Sequence, residues 1–515
     1  MSWNKQVQEL NRKVKLAKGQ GGKEAVERQH AKGRLTIRER VDGLVDKGSF
    51  RELGAGAGVS EHDEAGKMTE FSPANFILGF GKIGGRACIV GGEDFTLRGG
   101  SPNEAGLRKS TYTEELACQY RMPLVRLHEG GGGSVTGTGS KTIGSSVAAA
   151  PRFRSVARAL ASVPVASAAL GPVAGLPASR LVASHFSVMT RETAQVLVAG
   201  PAVVDRALKE NKTKEELGGA EVHTRNGAID NLAEGEADAF SQIRDFLSYM
   251  PQNVWEAAPV ADASDDRERR DKDLISIIPT NRRKGFDMRK LLGKVLDQGS
   301  FFEMGALYGR GQITGLGRLN GQPVGILSND GRYYAGAMTA DGAHKARRLI
   351  EMCDTFHLPI VSIVDEPGFM IGSEAEKAAT IRAGTAAVLA AADCAVPWAS
   401  VVVRKSFGVA SAAHYGDGAY VLAWPSAEMG PVPIEGGVAV AFGRDIAASE
   451  DPDARRQELE DQLASRQSIV PRAESFSLHD LIDPRETRPA LCDWIERVQP
   501  LLPSLLGPRG FGIRP

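Results

Sequence analysis

The chain has 515 residues, more than one ordinary domain holds, and its 42% hydrophobic and 24% charged residues are the composition of a folded globular protein. Lys plus Arg and Asp plus Glu both number 63, so the formal charge is zero, which argues against a dedicated nucleic-acid binder. The five cysteines form no CxxC pair, which excludes a zinc ribbon or a disulfide framework and suits a reducing compartment.

The N-terminus lacks the apolar core of a signal peptide, and no stretch offers about 20 uninterrupted apolar residues. A cytoplasmic chain with no membrane and no nucleic-acid partner is therefore expected. Residues 1–42 carry eleven Lys/Arg against five Asp/Glu and read as a helical arm followed by a turn. The next landmarks occur twice. DKGSFRELG (46–54) returns as DQGSFFEMG (297–305), and GFGKIGGRACIVGGEDF (79–95) returns as GLGRLNGQPVGILSNDG (315–331). Gly100 and Gly336 each precede a helix-like stretch that ends in a proline 23 residues on. MPLVRLHEGGGG (122–133) then matches LPIVSIVDEPGF (358–369), and SVPVASAALGPVAG (162–175) matches AVPWASVVVRKSFG (395–408). The offset between matched positions falls from 251 to 236 to 233. Such a series is the mark of a duplication.

Each half reads as α/β. Ala346, Leu349, Ile350 and Cys353 keep helical spacing, while VGIL (324–327), IVSIV (360–364) and ASVVV (399–403) are short runs of buried-strand type. Alternating strand and helix predicts a mostly parallel sheet with ligands at the carboxyl ends of its strands. Between the halves, ASDDRERRDKD has almost nothing to bury. The expected domains are 1–255 and 286–515, with 256–285 as linker.

The duplication places glycine-rich turns at matched strand ends: Glu129-Gly130-Gly131-Gly132-Gly133 and Gly171 to Leu176 in the first half, Asp365 to Phe369 and Arg404 to Val409 in the second. A glycine between strand and helix leaves backbone N–H groups pointing outward. Two such turns side by side can hold a carbonyl oxygen that gains charge. The sequence has no HExxH, no clustered metal spacing, no P-loop, and no GxSxG on a strand–helix turn. Glu129 and Asp365 occupy matched positions and could form a catalytic pair, or cap neighbouring turns. His128 and His185 lie near the turns, as packing histidines or as a general base.

The order of these motifs resembles the carboxyltransferase (beta) subunits of biotin-dependent acyl-CoA carboxylases, of the propionyl-CoA and methylcrotonyl-CoA carboxylase type. The resemblance is carried by RQHAKGRLTIRERVDGLVDKGSF (28–50), ELGGAEVHTRNGAIDNLAEGEADA (216–239), DEPGFMIGSEAEKAATIRAG (365–384), RKSFGVASA (404–412), AWPSAEM (423–429) and IDPRETR (482–488). It implies two duplicated crotonase-like (ClpP/crotonase) domains, each a twisted β-sheet framed by helices. It also implies a homo-hexamer whose active sites join the N-domain of one subunit to the C-domain of another. Acyl-CoA would bind on the N-domain side and carboxybiotin on the C-domain side. Biotin would ride on a separate carrier, and the chain carries no biotinylation or ATP-binding motif, so a biotin carboxylase and a biotin carboxyl carrier are the implied partners.

Carried over by position, Gly175 and Leu176 with Gly132 or Gly133 would hold the enolate oxygen of the coenzyme A thioester. Gly408 and Val409 with Phe369 would hold the biotin ureido oxygen. Gly131, Ala174, Ser411 and Ala412 would line the substrate. Where the family commonly has Asp-Ser-Gly-Gly-Ala-Arg, this chain has Glu129 to Ser134 without the arginine. The family's Gly-Gly pairs are here Gly175-Leu176 and Gly408-Val409, and Ala412 stands where many members carry a polar residue. These departures suggest an acyl group that is not simply acetyl or propionyl. Three other readings stay open: the carboxyltransferase of a biotin-dependent decarboxylase, a biotin-independent crotonase-type hydratase or hydrolase using Glu129, Asp365 or His185, and a non-catalytic scaffold subunit, suggested by the altered glycine-rich loop.

Overall fold

The computed structural model describes residues 2–132, 150–263, 265–282 and 284–509. These divide into two compact units, one up to Glu256 and one from Ala257 to Gly507. Each unit is built on its own eight-stranded sheet framed by helices.

In the first unit, strands β1 (Phe76–Ile83) and β2 (Arg86–Glu93) form an antiparallel hairpin. Strands β3 (Leu124–Gly130), β4 (Val165–Ala174) and β5 (Phe186–Thr190) then add in parallel. Every residue of β3 is buried, as expected for a strand covered on both faces. Helix α1 (Glu104–Tyr120) makes the crossover from β2 to β3. Asn103 caps it by accepting from Gly106 N at 2.7 Å, and Arg121 ends it in the left-handed conformation at φ 53°. Helix α2 (Leu176–Val182) follows β4 directly, with Gly175 at its N-cap.

The second unit repeats this plan residue for residue. Strands β6 (Gln312–Leu319), β7 (Gln322–Asn329), β8 (Ile360–Glu366) and β9 (Trp398–Phe407) match β1 to β4, and helix α3 (Ala340–Phe356) matches α1. Thr339 caps α3 as Asn103 caps α1, and His357 ends it at φ 57°. The pairing register agrees: Ile89 lies opposite Leu124 and Gly325 opposite Ile360, both displaced by 236. The irregularity between His128 and Gly130 recurs between Val364 and Glu366. The drop in offset from 251 to 236 has a concrete origin. A two-stranded hairpin, Gly58–His62 with Met68–Pro73, is inserted before β1, and no such hairpin precedes β6 among the described residues.

Of the segment expected to be a linker, 256–285, all but Glu256 belongs to the second unit. Leu274 is buried in that unit's core with Met288, Leu291 and Trp494. Several of its charges find partners in that unit: Arg269 donates to Lys294 O at 2.7 Å and Leu296 O at 2.8 Å, and Arg267 reaches Glu496 at 2.9 Å. The buried Arg488 donates to Asp266 O at 2.9 Å and pairs with Asp297 at 2.8 Å. Mixed charge here marks a self-neutralising strap. None of the described helices is long and apolar enough to cross a membrane.

Candidate functional site

In each unit, the carboxyl ends of two neighbouring parallel strands open into glycine turns. After β4 the chain turns at Gly175 (φ 66°) and enters α2 at Leu176. A β-carbon on Gly175 would lie 2.9 Å from Gly132 Cα, and one on Gly132 would lie 3.3 Å from Gly175 Cα. The two turns touch through bare backbone, and only glycine permits that approach at positive φ. The first N–H groups of a helix have no carbonyl behind them within it, and those of the Gly175–Leu176 turn open α2. Gly131 N donates to Gly99 O at 3.1 Å, and Gly132 O accepts from Ser101 Oγ at 3.1 Å, which pins the neighbouring turn. Gly133 and Ser134 lie outside the described residues. Ala174 ends β4, paired with Leu197.

The second unit has glycine turns at the matched positions but without that close contact: a β-carbon on Gly408 would meet Pro431 O at 3.5 Å. Gly408 (φ 65°) follows β9 and caps a short 3-10 helix, Val409–His414. Gly368 stands at the position of Gly132, and a β-carbon there would lie 3.8 Å from Phe407 O, as one on Gly132 would lie 3.5 Å from Ala174 O. Phe369 forms a parallel bridge with Met338 through Gly368 O and Met370 N, which leaves its own N–H unused by that ladder. The Phe369 ring packs against Ala383, Ala387, Ala410 and Ala413. Val409 is 63% exposed. Ser411 Oγ donates to Gly408 O at 2.8 Å, so it braces the turn, and Ala412 is half-buried in the short helix.

The carboxylates named from sequence have structural partners. Glu129 is fully buried, 2.7 Å from Arg34 and 2.6 Å from Arg40, and accepts from Gln29 at 2.6 Å. Burial pushes its carboxyl up against the pull of Arg40 and Arg34. Arg40 also pairs with Glu236 at 2.8 Å and donates to Leu170 O at 3.2 Å. Asp365 is gripped by Arg404 through two bonds of 3.0 and 2.7 Å. His185 ties the end of a helix to the start of β4: Nδ1 accepts from Val165 N, and Nε2 faces Leu160 O, each at 3.0 Å. None of the three is placed as a free acid or base.

Sequence reasoning missed two buried pairs behind the turns. His128 Nδ1 lies 3.1 Å from Glu93 in the first unit, and His414 Nε2 lies 3.5 Å from Glu366 in the second. It also missed the network of Arg126, Glu114 and Arg180, with Glu114 3.0 Å from Arg126 and 2.7 Å from Arg180. The only trace in sequence is the comparison of the repeats, which aligns Glu93 with Asn329 and Gly130 with Glu366.

Two small cavities border the first turn pair. One is lined by Phe76, Gly100, Leu107 and Pro177, the other by Thr111, Phe153 and Val156, and Leu176 and Arg180 line both. Each turn pair offers backbone donors, with no free side-chain base beside them among the described residues. Chemically it is suited to stabilising an oxyanion.

The comparisons with known proteins agree. A family model of the carboxyl transferase domain matches residues 28–497. The propionyl-CoA carboxylase carboxyltransferase subunit of Haloferax mediterranei is 34% identical, with 95% of each chain covered. The alpha subunit of methylmalonyl-CoA decarboxylase from Veillonella parvula is 31% identical, with 94% of each covered. The crystal structure of transcarboxylase 12S, described as a hexamer with methylmalonyl-coenzyme A and methylmalonic acid bound, superposes with a TM-score of 0.85 at 29% identity. It covers 100% of this chain and 97% of its own. By fold, by its duplicated turns and by sequence along nearly its whole length, this chain belongs to the carboxyl transferase family.

Proposed function

We propose that the chain is the carboxyltransferase subunit of a biotin-dependent acyl-CoA carboxylase, moving a carboxyl group from carboxybiotin to the α-carbon, or a vinylogous carbon, of an acyl-CoA. The observation that carries this reading is the doubled turn pair, Gly132 with Gly175 and Gly368 with Gly408. The reaction develops negative charge on two oxygens, and the fold repeats one oxyanion device twice. In the first unit, the N–H groups at Gly175, Leu176 and Gly132 hold the thioester oxygen as the α-proton leaves. In the second, those at Gly408, Val409 and Phe369 hold the ureido oxygen. The fit is steric as well as electrostatic: a side chain on Gly175 would close its turn against Gly132. Carboxybiotin, borne by a separate carrier, supplies the carboxyl group and, once relieved of it, the nitrogen base. The chain therefore needs no catalytic side-chain base, and Glu129, Asp365 and His185 are free to serve as structural groups. Each backbone donor is worth about 3–4 kcal/mol in the transition state.

The same turns serve the reverse reaction, and the biotin-bearing partner sets the direction. The partners are a biotin carboxylase and a biotin carboxyl carrier, the assembly is a homo-hexamer with sites shared between subunits, and the compartment is the cytoplasm, in keeping with five free cysteines. The test is an assay of the chain with its biotin carboxylase partner, ATP and bicarbonate against a panel of acyl-CoAs. ATP turnover that depends on one acyl-CoA, with its carboxylated product identified by mass spectrometry, is the expected result. Silence across the panel with CoA esters still bound would overturn the forward reading.

A further inference from the structure

Each unit buries one carboxylate beside one imidazole directly behind its glycine turns, but the two units build that pair from different strands. In the first unit the carboxylate is Glu93, the last residue of β2. At the register offset of 236, Glu93 corresponds to Asn329, and Gly130 corresponds to Glu366. The second unit has thus moved its carboxylate across to the neighbouring strand end. The exchange respects volume. A β-carbon on Gly130 would come within 3.1 Å of Glu93 Cγ, so these strand ends have room for one glutamate. The imidazole has moved as well: His128 corresponds to Val364, and His414 stands where the first unit has Leu181. Side-chain identity at each position has changed while the buried pair persists in place.

Glu366 shows what the pair holds. It is fully buried, and both of its oxygens are in use. Oε1 accepts from Gly368 N at 2.9 Å. Oε2 accepts from Asn329 Nδ2 at 2.9 Å and Gln312 Nε2 at 3.0 Å, and lies 3.5 Å from His414 Nε2. Neither ring nitrogen of the buried His414 has a hydrogen-bond partner among the described residues, which leaves this carboxylate as its neighbour. Gly368 belongs to the turn after β8, and His414 ends the short helix that Gly408 opens. One carboxylate therefore bonds the Gly368 turn directly and lies beside the far end of the short helix that Gly408 opens. We propose that Glu366, with His414, is a positioning residue that clamps these two turns in register and so fixes the direction of their N–H groups. This rests on the reading of the turns as the donor site for the ureido oxygen.

Glutamine distinguishes a clamp from filler. Glu366→Gln keeps the volume but offers one acceptor oxygen where two are needed, so its amide must face either Gly368 N–H or the Asn329 and Gln312 donors. The first measurement is amide hydrogen exchange. Glu366→Gln is expected to speed exchange roughly tenfold across residues 367–370 and 408–414, and to leave 175–182 unchanged. In carboxyl transfer, its kcat falls roughly tenfold or more while the KM for acyl-CoA holds within about twofold. The double variant Asn329→Glu with Glu366→Gly moves the carboxylate to the strand end that the first unit uses and should recover most of both losses. Exchange in Glu366→Gln equal to wild type, or faster exchange spread over the whole second unit, would overturn the clamp. If the wild type transfers no carboxyl group, the functional reading of the turns fails, and the exchange data still decide whether Glu366 holds them.

Discussion

Glu129 shows how a residue in the right place for chemistry can belong to the scaffold. It is the last residue but one of the buried strand β3, beside the glycine turn, yet Arg34 and Arg40 from the N-terminal segment close on it, and Arg40 continues to Glu236. Four charged groups neutralise one another out of reach of water. Removing one partner of such a set strands the others, at a cost of about 3–5 kcal/mol. Arg40→Met should therefore lower the unfolding free energy in urea by about that amount. A loss below about 1 kcal/mol would mean that the network relaxes around the gap. Gly175 is the opposite case, a residue whose lack of side chain is its contribution. Gly175→Ala adds a β-carbon 2.9 Å from Gly132 Cα at φ 66°, which must part the turns. Its kcat is expected to fall on the order of 100-fold, as when one oxyanion donor is lost, with much less effect on global stability.

At the scale of the element, α1 and α3 carry a lysine at the same position, half-buried in the first unit and buried in the second. Lys109 donates to Gly54 O at 3.3 Å, and Lys345 to Tyr308 O at 3.0 Å and Gln312 O at 2.8 Å. Burial, assisted by nearby Arg38, lowers the Lys109 pKa from 10.5 to about 8 against the pull of Glu52. The folded state thus releases this proton before the unfolded state does, so stability contributed at Lys109 rises as pH climbs from about 8 towards 10.5. Melting curves of wild type and Lys109→Met should diverge in favour of wild type over that window; a constant gap would show that Lys109 keeps its proton. At the start of α2, Leu176 divides two small cavities beside the turns. Leu176→Ala joins them and should raise the kcat/KM ratio of longer over shorter acyl-CoAs about tenfold, measured over straight-chain esters. The duplicated elements and the turns were legible in sequence because glycine and proline punctuate both halves at matched spacing. The buried Glu–His pairs were not, since each joins residues on separate strands or helices and shifts strand between the repeats. The strap 257–285 was misread because its charges find partners in the fold, and composition carries no sign of that.

At the scale of the whole molecule, the two turn pairs lie in separate units of one chain, and the proposed assembly completes each active site with the first unit of one subunit and the second unit of another. That arrangement predicts complementation. Gly175→Ala disables the thioester side and Gly408→Ala the ureido side, so hexamers of either variant alone are nearly inactive. When subunits of both variants are dissociated, mixed in equal amounts and reassembled, each site draws its two halves independently. About one quarter of the sites then combine a sound first unit with a sound second unit, and about a quarter of wild-type activity should return. A site contained within a single chain would never combine two sound halves in such a mixture. No recovery, with mixed hexamers verified by mass spectrometry, would therefore place both oxyanion turns of each active site in one subunit and overturn the shared site.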